Sequence, residues 1–399
     1  MRRVGAWLRR PCSKNHADIQ GSSMDQLAIN IVVLGKSGVG KSSFCNYLFD
    51  TPDTFKTGTG KPVTSWEQNF QSHSFMHQGH LLNVFDSVGL EADNYLRWSR
   101  QFDAFMAKRR EQPLEPQTWI HGAFYVINAN SARLEPIDRK LIESLRADAR
   151  LPLQVVLTNA DVAGEKVAQM VQALEGAFPG LQVTPVCSVS VRRRGGGSSQ
   201  AFGRDDVLSA YLEQSHAFLS KRLAAMSCVT LKRILYKMRS EVVSRLEKAD
   251  ISIFKLADLD LDSALELPDP DDFMGDLRSF DDYLSSFGFP MDWEISDELG
   301  DSVTTVLEEF GEEMERRFKE MEEAFDSGSL AQKAGAAFQM AKIVLTLKSS
   351  MIGWVDEGLE RAQTELDVLF RKYAGDDDFF PAHLSSPPMT VKSRLFGIF

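Results

Sequence analysis

The stretch Gly35–Ser42 reads GKSGVGKS and fits the pattern G-x-x-x-x-G-K-[ST] at every position. An apolar run with β-branched residues, Ala28–Leu34, precedes it, and Ser43–Phe49 follows with a helical pattern. Glycines at these positions let successive backbone N–H groups point inward at the start of a helix, where they bind phosphate groups. The sequence therefore predicts a strand, a phosphate-binding loop and a helix.

The loop pattern also assigns chemistry to individual side chains. Lys41 is expected to reach the β and γ phosphates of a nucleotide, and the Ser42 hydroxyl is expected to bind Mg²⁺. The rest of the loop is expected to surround the phosphates with backbone. The predicted nucleotide-binding residues here are Gly35, Ser37, Gly38, Val39, Gly40, Lys41, Ser42 and Ser43.

A second apolar strand, Leu81–Phe85, leads directly into Asp86-Ser87-Val88-Gly89, which matches D-x-x-G. Asp86 could hold Mg²⁺ through water, and the Gly89 N–H could contact a γ phosphate. This short pattern is weak alone. Its position at the end of a strand, downstream of the phosphate loop, makes it a candidate for the nucleotide site.

A third apolar strand, Leu153–Leu157, ends in Thr158-Asn159-Ala160-Asp161. The Asp161 carboxylate can accept hydrogen bonds from guanine N1–H and N2–H, whereas adenine presents an acceptor at N1 and would face an unpaired anion. One further strand, Val183–Cys187, precedes a loop that is similar to the S-A-x guanine loop. The residues predicted to bind the base are Thr158, Asn159, Asp161, Ser188 and Val189.

In this order, the motifs resemble those of P-loop GTPases of the TRAFAC class, over roughly residues 26–225. Gly38 and the stretch Ile127–Leu145 are similar to bacterial Era-related and to immunity-related or septin-like GTPases. The resemblance implies an α/β domain with a mostly parallel sheet and helices on both faces. It also implies that GTP and GDP are the ligands, with Mg²⁺ as cofactor, and that GTP is hydrolysed to GDP and phosphate.

Two positions depart from the family pattern. Asn159 stands where the family usually has a Lys whose stem packs on the guanine plane, which predicts modest affinity. Leu90 follows the D-x-x-G where Ras-like proteins carry a water-orienting Gln. Because Leu cannot hydrogen-bond a nucleophile, intrinsic hydrolysis is expected to be slow.

The first switch segment is expected within Thr57–Trp66, which reads TGTGKPVTSW and precedes a candidate strand over Trp66–Phe75. Thr64 is chosen as the Mg²⁺ ligand because it lies close to that strand, as in Era-like relatives, and Thr59 is the alternative. The predicted metal ligands are Ser42, Thr64 and Asp86. The residues assigned to hydrolysis are Lys41, Thr64 and Gly89.

The remainder of the chain predicts a second, all-α domain. Apolar residues recur at helical spacing over residues 231–246 and again over 303–325, with hardly any strand pattern. The 399 residues leave room for two or three domains. The predicted division is a flexible basic tail over 1–25, a G domain over 26–225, a helical domain over 226–380 and a C-terminal tail over 381–399.

Charge is unevenly distributed along the chain, whose net charge is −11. Residues 251–330 contain 24 acidic and 5 basic side chains. This acidic segment argues against nucleic acid as a ligand, because phosphate binding needs the opposite sign. It could dock a basic partner or the chain's own G domain, although a solvated helical face is the simpler interpretation. The helical domain is where a homo-oligomer or a protein partner would bind.

Several features bear on location. The four cysteines are widely spaced, which predicts reduced, buried thiols. The basic N-terminus lacks the apolar core of a signal peptide, and no run of 18 apolar residues is free of charge, so a cytoplasmic protein is expected. The tail Val391–Phe399 mixes basic and apolar groups and gives weak support to membrane association.

The predicted function is Mg²⁺-dependent binding and hydrolysis of GTP, with switch loops that control the helical domain. Two other functions stay open. One is a dynamin-like or septin-like protein, in which GTP times assembly or membrane association. The other is a scaffold that holds GTP or GDP without turnover, an interpretation that Leu90 and Asn159 favour.

Overall fold

The computed structural model describes residues 26–50, 54–56, 69–131, 133–148, 151–189, 199–248, 280–290 and 337–375, with six isolated residues between 305 and 317. These residues divide into two compact units. The first contains the described residues up to Ser220 together with Tyr283–Pro290. The second contains the described residues of 221–282 and of 291–399. The sequence placed the boundary at residue 225 and did not anticipate the return of Tyr283–Pro290 to the first unit.

The first unit is built on a six-stranded sheet with the order β2-β3-β1-β4-β5-β6. Strand β2 pairs antiparallel with β3, whereas the other neighbouring strands pair in parallel. The strands are β1 (Ala28–Gly35), β2 (Gln71–His77), β3 (His80–Asp86), β4 (Gly122–Asn128), β5 (Leu153–Thr158) and β6 (Gln182–Pro185). The mostly parallel sheet confirms the predicted α/β fold class.

Helices follow the parallel strands as crossover connections. They are α1 (Lys41–Phe49), α2 (Tyr95–Arg110), α3 (Pro136–Asp148), α4 (Ala160–Ala163) and α5 (Glu165–Ala177), with short 3₁₀ turns at Ala92–Asn94 and Pro116–Thr118. Nearly every residue of β1, β4 and β5 is buried. Such continuous burial is expected for a parallel sheet, because helices cover both of its faces.

The carboxyl ends of β1, β3 and β5 carry the three predicted motifs. Strand β1 lies between β3 and β4, and β4 pairs with β5. Val33 near the end of β1 is level with Asp86, and Asn128 at the end of β4 is level with Thr158. Ligands of open parallel sheets bind at this edge, because the strand-end loops meet there.

The segment Tyr283–Pro290 packs at the opposite edge of the sheet, where β1 and β3 begin. It includes the end of the short helix α7 (Phe280–Ser286). The Leu27 N–H donates to the carbonyl oxygen of Ser286 at 2.8 Å. His80 Nδ1 lies 3.0 Å from the carbonyl oxygen of Phe287. This part of the chain therefore returns to the first unit away from the motif loops.

The second unit pairs the end of a long helix, α6 (Arg204–Lys248), with α8 (Ala337–Ala374). The helical spacing predicted over residues 231–246 lies within this one continuous helix, which ends at Lys248. Buried residues of this stretch are Ile234, Leu235, Met238, Val242 and Leu246. Ion pairs join α6 to α8, namely Lys232 with Asp367 and Arg239 with Asp356.

Some predictions about the rest of the chain lie outside the described residues. They concern the apolar stripe over 303–325, the tails over 1–25 and 381–399 and most of the acidic segment. Cys45, Cys187 and Cys228 are free, buried thiols, as predicted. None of the described helices combines the length and apolar character needed to cross a membrane.

Candidate nucleotide site

The loop between β1 and α1 is shaped by glycines at its two ends. Gly35 has φ +146° and Gly40 has φ +94°, a region that L side chains rarely adopt. A Cβ on Gly35 would also lie 2.4 Å from the carbonyl oxygen of Val126. Gly40 immediately precedes α1, so the loop closes on the amino end of that helix. Backbone N–H groups and the helix dipole both favour an anion at this point.

Lys41 is the first residue of α1 and is only 6% exposed. Its Nζ donates to the carbonyl oxygen of Lys36 at 2.9 Å, so the side chain lies back along the loop. Burial lowers the pKa of this ammonium, and the carboxylate of Asp86 opposes that effect. A buried cation at the mouth of an anion site gains strongly when a phosphate binds.

Ser42 and Asp86 bring a hydroxyl and a carboxylate together beside Lys41. Ser42 Oγ donates to Asp86 Oδ2 at 3.0 Å. Burial raises the pKa of Asp86 to about 6, although Lys41 and Ser42 both favour the charged form. Within the described part of the chain, the buried Oδ1 of Asp86 has no hydrogen-bond partner. Because Mg²⁺ prefers oxygen ligands of this kind, the pair fits a Mg²⁺ site.

The third predicted metal ligand lies outside the described residues. Thr64 and its alternative Thr59 fall in that part of the chain, so the choice between them stays a prediction. The described ranges contain no group of three or more His, Cys, Asp or Glu that could hold a metal ion. The fit to Mg²⁺ therefore rests on Ser42 and Asp86.

The D-x-x-G segment is held against the phosphate loop by backbone contacts. The Ser37 N–H donates to the carbonyl oxygen of Leu90 at 3.0 Å, and the Leu90 N–H donates to that of Gly35 at 3.1 Å. A Cβ on Gly89 would lie 2.4 Å from Ser37 Cα, so glycine is needed for this approach. Gly89 is thus placed beside the loop, as a contact with a γ phosphate requires.

Two residues that the sequence did not indicate fix the same segment from the other side. Asn69 Oδ1 accepts the Val88 N–H at 2.9 Å, and the Trp98 indole N–H donates to the Val88 carbonyl oxygen at 3.1 Å. Trp98 is 1% exposed. Neither contact belongs to a local motif. The sequence feature that could have indicated the second contact is Trp98 itself, because the N–H of a buried indole needs an acceptor.

A cavity of about 170 Å³ lies between the phosphate loop and the ends of β5 and β6. It is lined by Gly40, Ser43, Thr158, Asn159, Asp161, Val162, Cys187, Ser188 and Val189. The structure therefore brings all five residues predicted for the base to one cavity. Val162 and Cys187 were not predicted, because neither is one of the base-contacting positions of the guanine-recognition patterns.

Thr158 connects the base side of the site to the phosphate side. Its hydroxyl donates to the carbonyl oxygen of Val39 at 2.5 Å and lies 3.2 Å from that of Ile127. Asn159 follows with φ +57°, and this left-handed turn begins the short helix that carries Asp161 in its first turn. The Asp161 position is thus set by a backbone turn that is tied to the phosphate loop.

A sequence model of the family described as 50S ribosome-binding GTPase matches residues 30–159. The match covers the phosphate loop, the D-x-x-G segment and the first two residues of the base motif. This part of the chain is a P-loop GTPase domain. The G domain therefore belongs to a GTP-binding family. No curated protein sequence matches the chain.

Solved structures with G domains are similar to this chain over about half of its length. Toc33 from Arabidopsis thaliana, in complex with GDP and Mg²⁺, is 16% identical with a TM-score of 0.33, covering 48% of this chain and 85% of Toc33. The septin GTPase domain from Chlamydomonas reinhardtii is 17% identical with a TM-score of 0.35, covering 47% and 91%. The FeoB G domain from Methanococcus jannaschii is 17% identical with a TM-score of 0.31, covering 47% and 98%.

Proposed function

We propose that the G domain binds GTP with Mg²⁺, hydrolyses it to GDP and phosphate, and uses the change to control the helical part of the chain. One observation carries this proposal. Ser42 and the buried carboxylate of Asp86 form an oxygen pair beside Lys41, and Asp86 Oδ1 has no hydrogen-bond partner among the described residues. A cation and a polyphosphate together would satisfy this charge arrangement.

Each residue of the phosphate side has a proposed role. Lys41 would bind the β and γ phosphates, and the Gly89 N–H would contact the γ phosphate. Ser42, Asp86 and Thr64 would hold Mg²⁺, which neutralises phosphate charge when bound. Loss of the γ phosphate would remove its backbone contact to Gly89 and its link to Thr64 through Mg²⁺, which would free the D-x-x-G segment and the first switch segment to move.

On the base side, Asp161 would select guanine by accepting its N1–H and N2–H. The cavity between the phosphate loop and the base motif supports this assignment, because Asp161 lines it together with Ser188 and Val189. An adenine base would offer no donor from N1 to the carboxylate. GTP and GDP are therefore the proposed ligands, and a cytoplasmic location remains part of the same proposal.

One observation favours a second candidate, a GTP-binding or GDP-binding protein with little turnover of its own. The Leu90 side chain is 2% exposed, and its backbone is bonded to the phosphate loop. An aliphatic side chain at this point cannot orient an attacking water. Any hydrolysis would depend on backbone groups or on a residue that another molecule contributes.

The deciding experiment measures phosphate release from GTP and from ATP, with Mg²⁺ and with EDTA, at several protein concentrations. The proposal expects turnover of GTP, dependent on Mg²⁺, that exceeds turnover of ATP. A Lys41→Ala variant, measured in parallel, controls for contaminating hydrolases. Turnover per molecule that rises with concentration would indicate assembly across the helical part or the G domain.

Absence of turnover would separate the two candidates only when binding is measured as well. A chain that binds GTP and GDP but releases no phosphate, alone or at high concentration, supports the low-turnover candidate. A preference for ATP over GTP contradicts the proposed site. A GTP affinity that does not depend on Mg²⁺ contradicts it as well. Equal phosphate release by wild type and Lys41→Ala would show that this loop is not responsible.

A further inference from the structure

Lys36, the second residue of the phosphate loop, is paired with carboxylates at the start of α3. Its Nζ lies 3.1 Å from Asp138 Oδ2 and 3.0 Å from Glu135 Oε1. One ammonium faces two carboxylates, so this cluster has a net negative charge and would repel a phosphate. A lysine in a phosphate loop suggests a second phosphate ligand, but the charges around Lys36 argue against that role.

Asp138 is a buried carboxylate held by three donors. It is 1% exposed. Tyr125 Oη donates to its Oδ1 at 2.7 Å, and both the Glu135 N–H and Lys36 Nζ donate to its Oδ2 at 3.1 Å. Tyr125 is fully buried within β4. A buried carboxylate is stable only with its cation and its hydrogen-bond donors. Asp138 therefore joins Lys36 to Tyr125 of β4 and to the start of α3.

The backbone of the same residue faces the catalytic parts of the site. The Lys36 carbonyl oxygen accepts the Lys41 ammonium at 2.9 Å. Its two neighbours, Gly35 and Ser37, exchange hydrogen bonds with Leu90 of the D-x-x-G segment. A shift of Lys36 would therefore disturb Lys41 and the backbone at the end of the D-x-x-G segment together.

We propose that Lys36 is a positioning residue, which holds the phosphate loop in its nucleotide-binding shape through the buried carboxylate of Asp138 rather than by touching phosphate. This inference rests on the proposed function. Loss of the anchor frees the first half of the loop, so bound GDP and GTP dissociate faster. Base selection by Asp161 is unchanged, because the anchor does not reach the base cavity.

Dissociation of a fluorescent GDP analogue distinguishes this role from direct phosphate binding. The rate is compared among wild type, Lys36→Met, Asp138→Asn and the double variant. An anchor predicts that each single change raises the rate roughly 10–100-fold, as loss of a supporting residue behind a binding site often does. It also predicts that the double variant is no faster than the faster single variant, because both changes remove one interaction.

A phosphate-binding Lys36 predicts the opposite response at Asp138. Removing the carboxylate would then free the ammonium, so Asp138→Asn would slow dissociation or leave it unchanged while Lys36→Met accelerates it. That pattern, or additive effects in the double variant, overturns the anchor. Wild-type protein that binds no guanine nucleotide overturns both the anchor and the proposed function, whereas normal binding with unchanged rates in both single variants overturns the anchor alone.

The second unit offers a matched control for simple destabilisation. The buried Lys232 forms an ion pair there with the half-exposed carboxylate of Asp367, between α6 and α8. Lys232→Met is expected to lower the melting temperature without changing GDP dissociation. If Asp138→Asn does not fold, Tyr125→Phe removes one donor to the same carboxylate without changing charge. It should raise the dissociation rate by a smaller factor, and an unchanged rate in Tyr125→Phe and Lys36→Met contradicts the anchor.

Discussion

The phosphate side and the base side of the site are built from different materials. The phosphate side is formed by backbone in tight turns that need glycine. Gly89 packs so closely against this loop that a Cβ at position 89 would not fit. The base side is a cavity lined mainly by residues at the ends of β5 and β6. Backbone geometry tolerates little change, whereas a side-chain lining can be altered residue by residue. The phosphate loop fits its pattern at every position, whereas the base motif carries Asn159 where the family usually has Lys.

The largest effect is expected where Gly89 approaches the backbone of Ser37. Gly89→Ala places a Cβ 2.4 Å from Ser37 Cα, so the D-x-x-G segment must move away from the loop. The Gly89 N–H would then miss the γ phosphate, and GTP turnover should fall about 10²–10³-fold, as loss of one transition-state donor does elsewhere. GDP affinity should change little. Single-turnover hydrolysis and GDP titration measure the two quantities.

Gly176→Ala is the matched control, because a Cβ at Gly176 in α5 meets nothing within 4 Å. That variant should keep wild-type turnover. Equal loss of GTP turnover and GDP binding in Gly89→Ala would mean that the whole loop had collapsed, and would contradict a contact specific to the γ phosphate.

On the base side, Asp161→Asn should change the base specificity from guanine to xanthine. The amide replaces an acceptor with a donor, so GTP affinity should fall about 100-fold while xanthosine triphosphate gains affinity, because its N1 and O2 edge suits the amide. Competition titrations with GTP, ATP and xanthosine triphosphate measure the change. Unchanged GTP affinity would place the guanine-recognition carboxylate elsewhere.

The same contrast determined what could be predicted from the sequence. The β1 strand, the loop and α1 follow one another along the chain, so their bounds were predicted within two residues. Asp138 is 102 residues from Lys36, and Val39 is 119 residues from Thr158. Such contacts depend on how parallel strands are ordered, which local patterns do not encode. The return of Tyr283–Pro290 to the sheet was missed for the same reason.

The motif residues at the carboxyl ends of strands were easier to predict than the residues that support them. Asp86 and Asp161 follow apolar runs at recognisable spacing, and both lie at the site. Trp98 and Asn69 fix the D-x-x-G backbone from α2 and from the turn before β2, without a pattern of their own. Side chains that contact ligands recur in motifs, whereas side chains that hold those motifs vary with the packing around them.

The ionised carboxylate of Asp86, on the phosphate side, should destabilise the folded protein when no nucleotide is bound. Because burial raises the Asp86 pKa from 3.8 to about 6, the folded chain binds this proton more tightly than the unfolded chain does. The ionised carboxylate therefore destabilises the fold above pH 6, and the effect disappears as the pH falls towards 4. Asp86→Asn should stabilise the nucleotide-free protein at pH 7.5 by about 2 to 3 kcal/mol, and by little at pH 4.

Urea unfolding of both proteins without nucleotide, at pH 7.5 and pH 4, measures this difference. Apart from Lys41 and Cys45, whose pKa values Asp86 raises, the other titrating groups are common to the two proteins and cancel. The variant should also lose the Mg²⁺ dependence of GTP binding. Equal stability of wild type and variant at pH 7.5 would mean that burial does not destabilise the ionised Asp86 carboxylate. The case for a cation at its Oδ1 would then lose its main support.

The smallest effect is expected at Asn159, where the base side departs from its family. A Lys stem could pack on the guanine plane, but Asn159 has φ +57°, a conformation that Asn adopts more readily than Lys. The gain in packing is therefore offset by backbone strain, and Asn159→Lys should slow GDP dissociation only about 3-fold. Stopped-flow displacement of a fluorescent GDP analogue measures this, with Asn159→Gly as the control that keeps the turn and adds no packing. A change above about 30-fold would show that the base side depends on this stem as strongly as the phosphate side depends on its glycines, and the contrast between the two sides would fail.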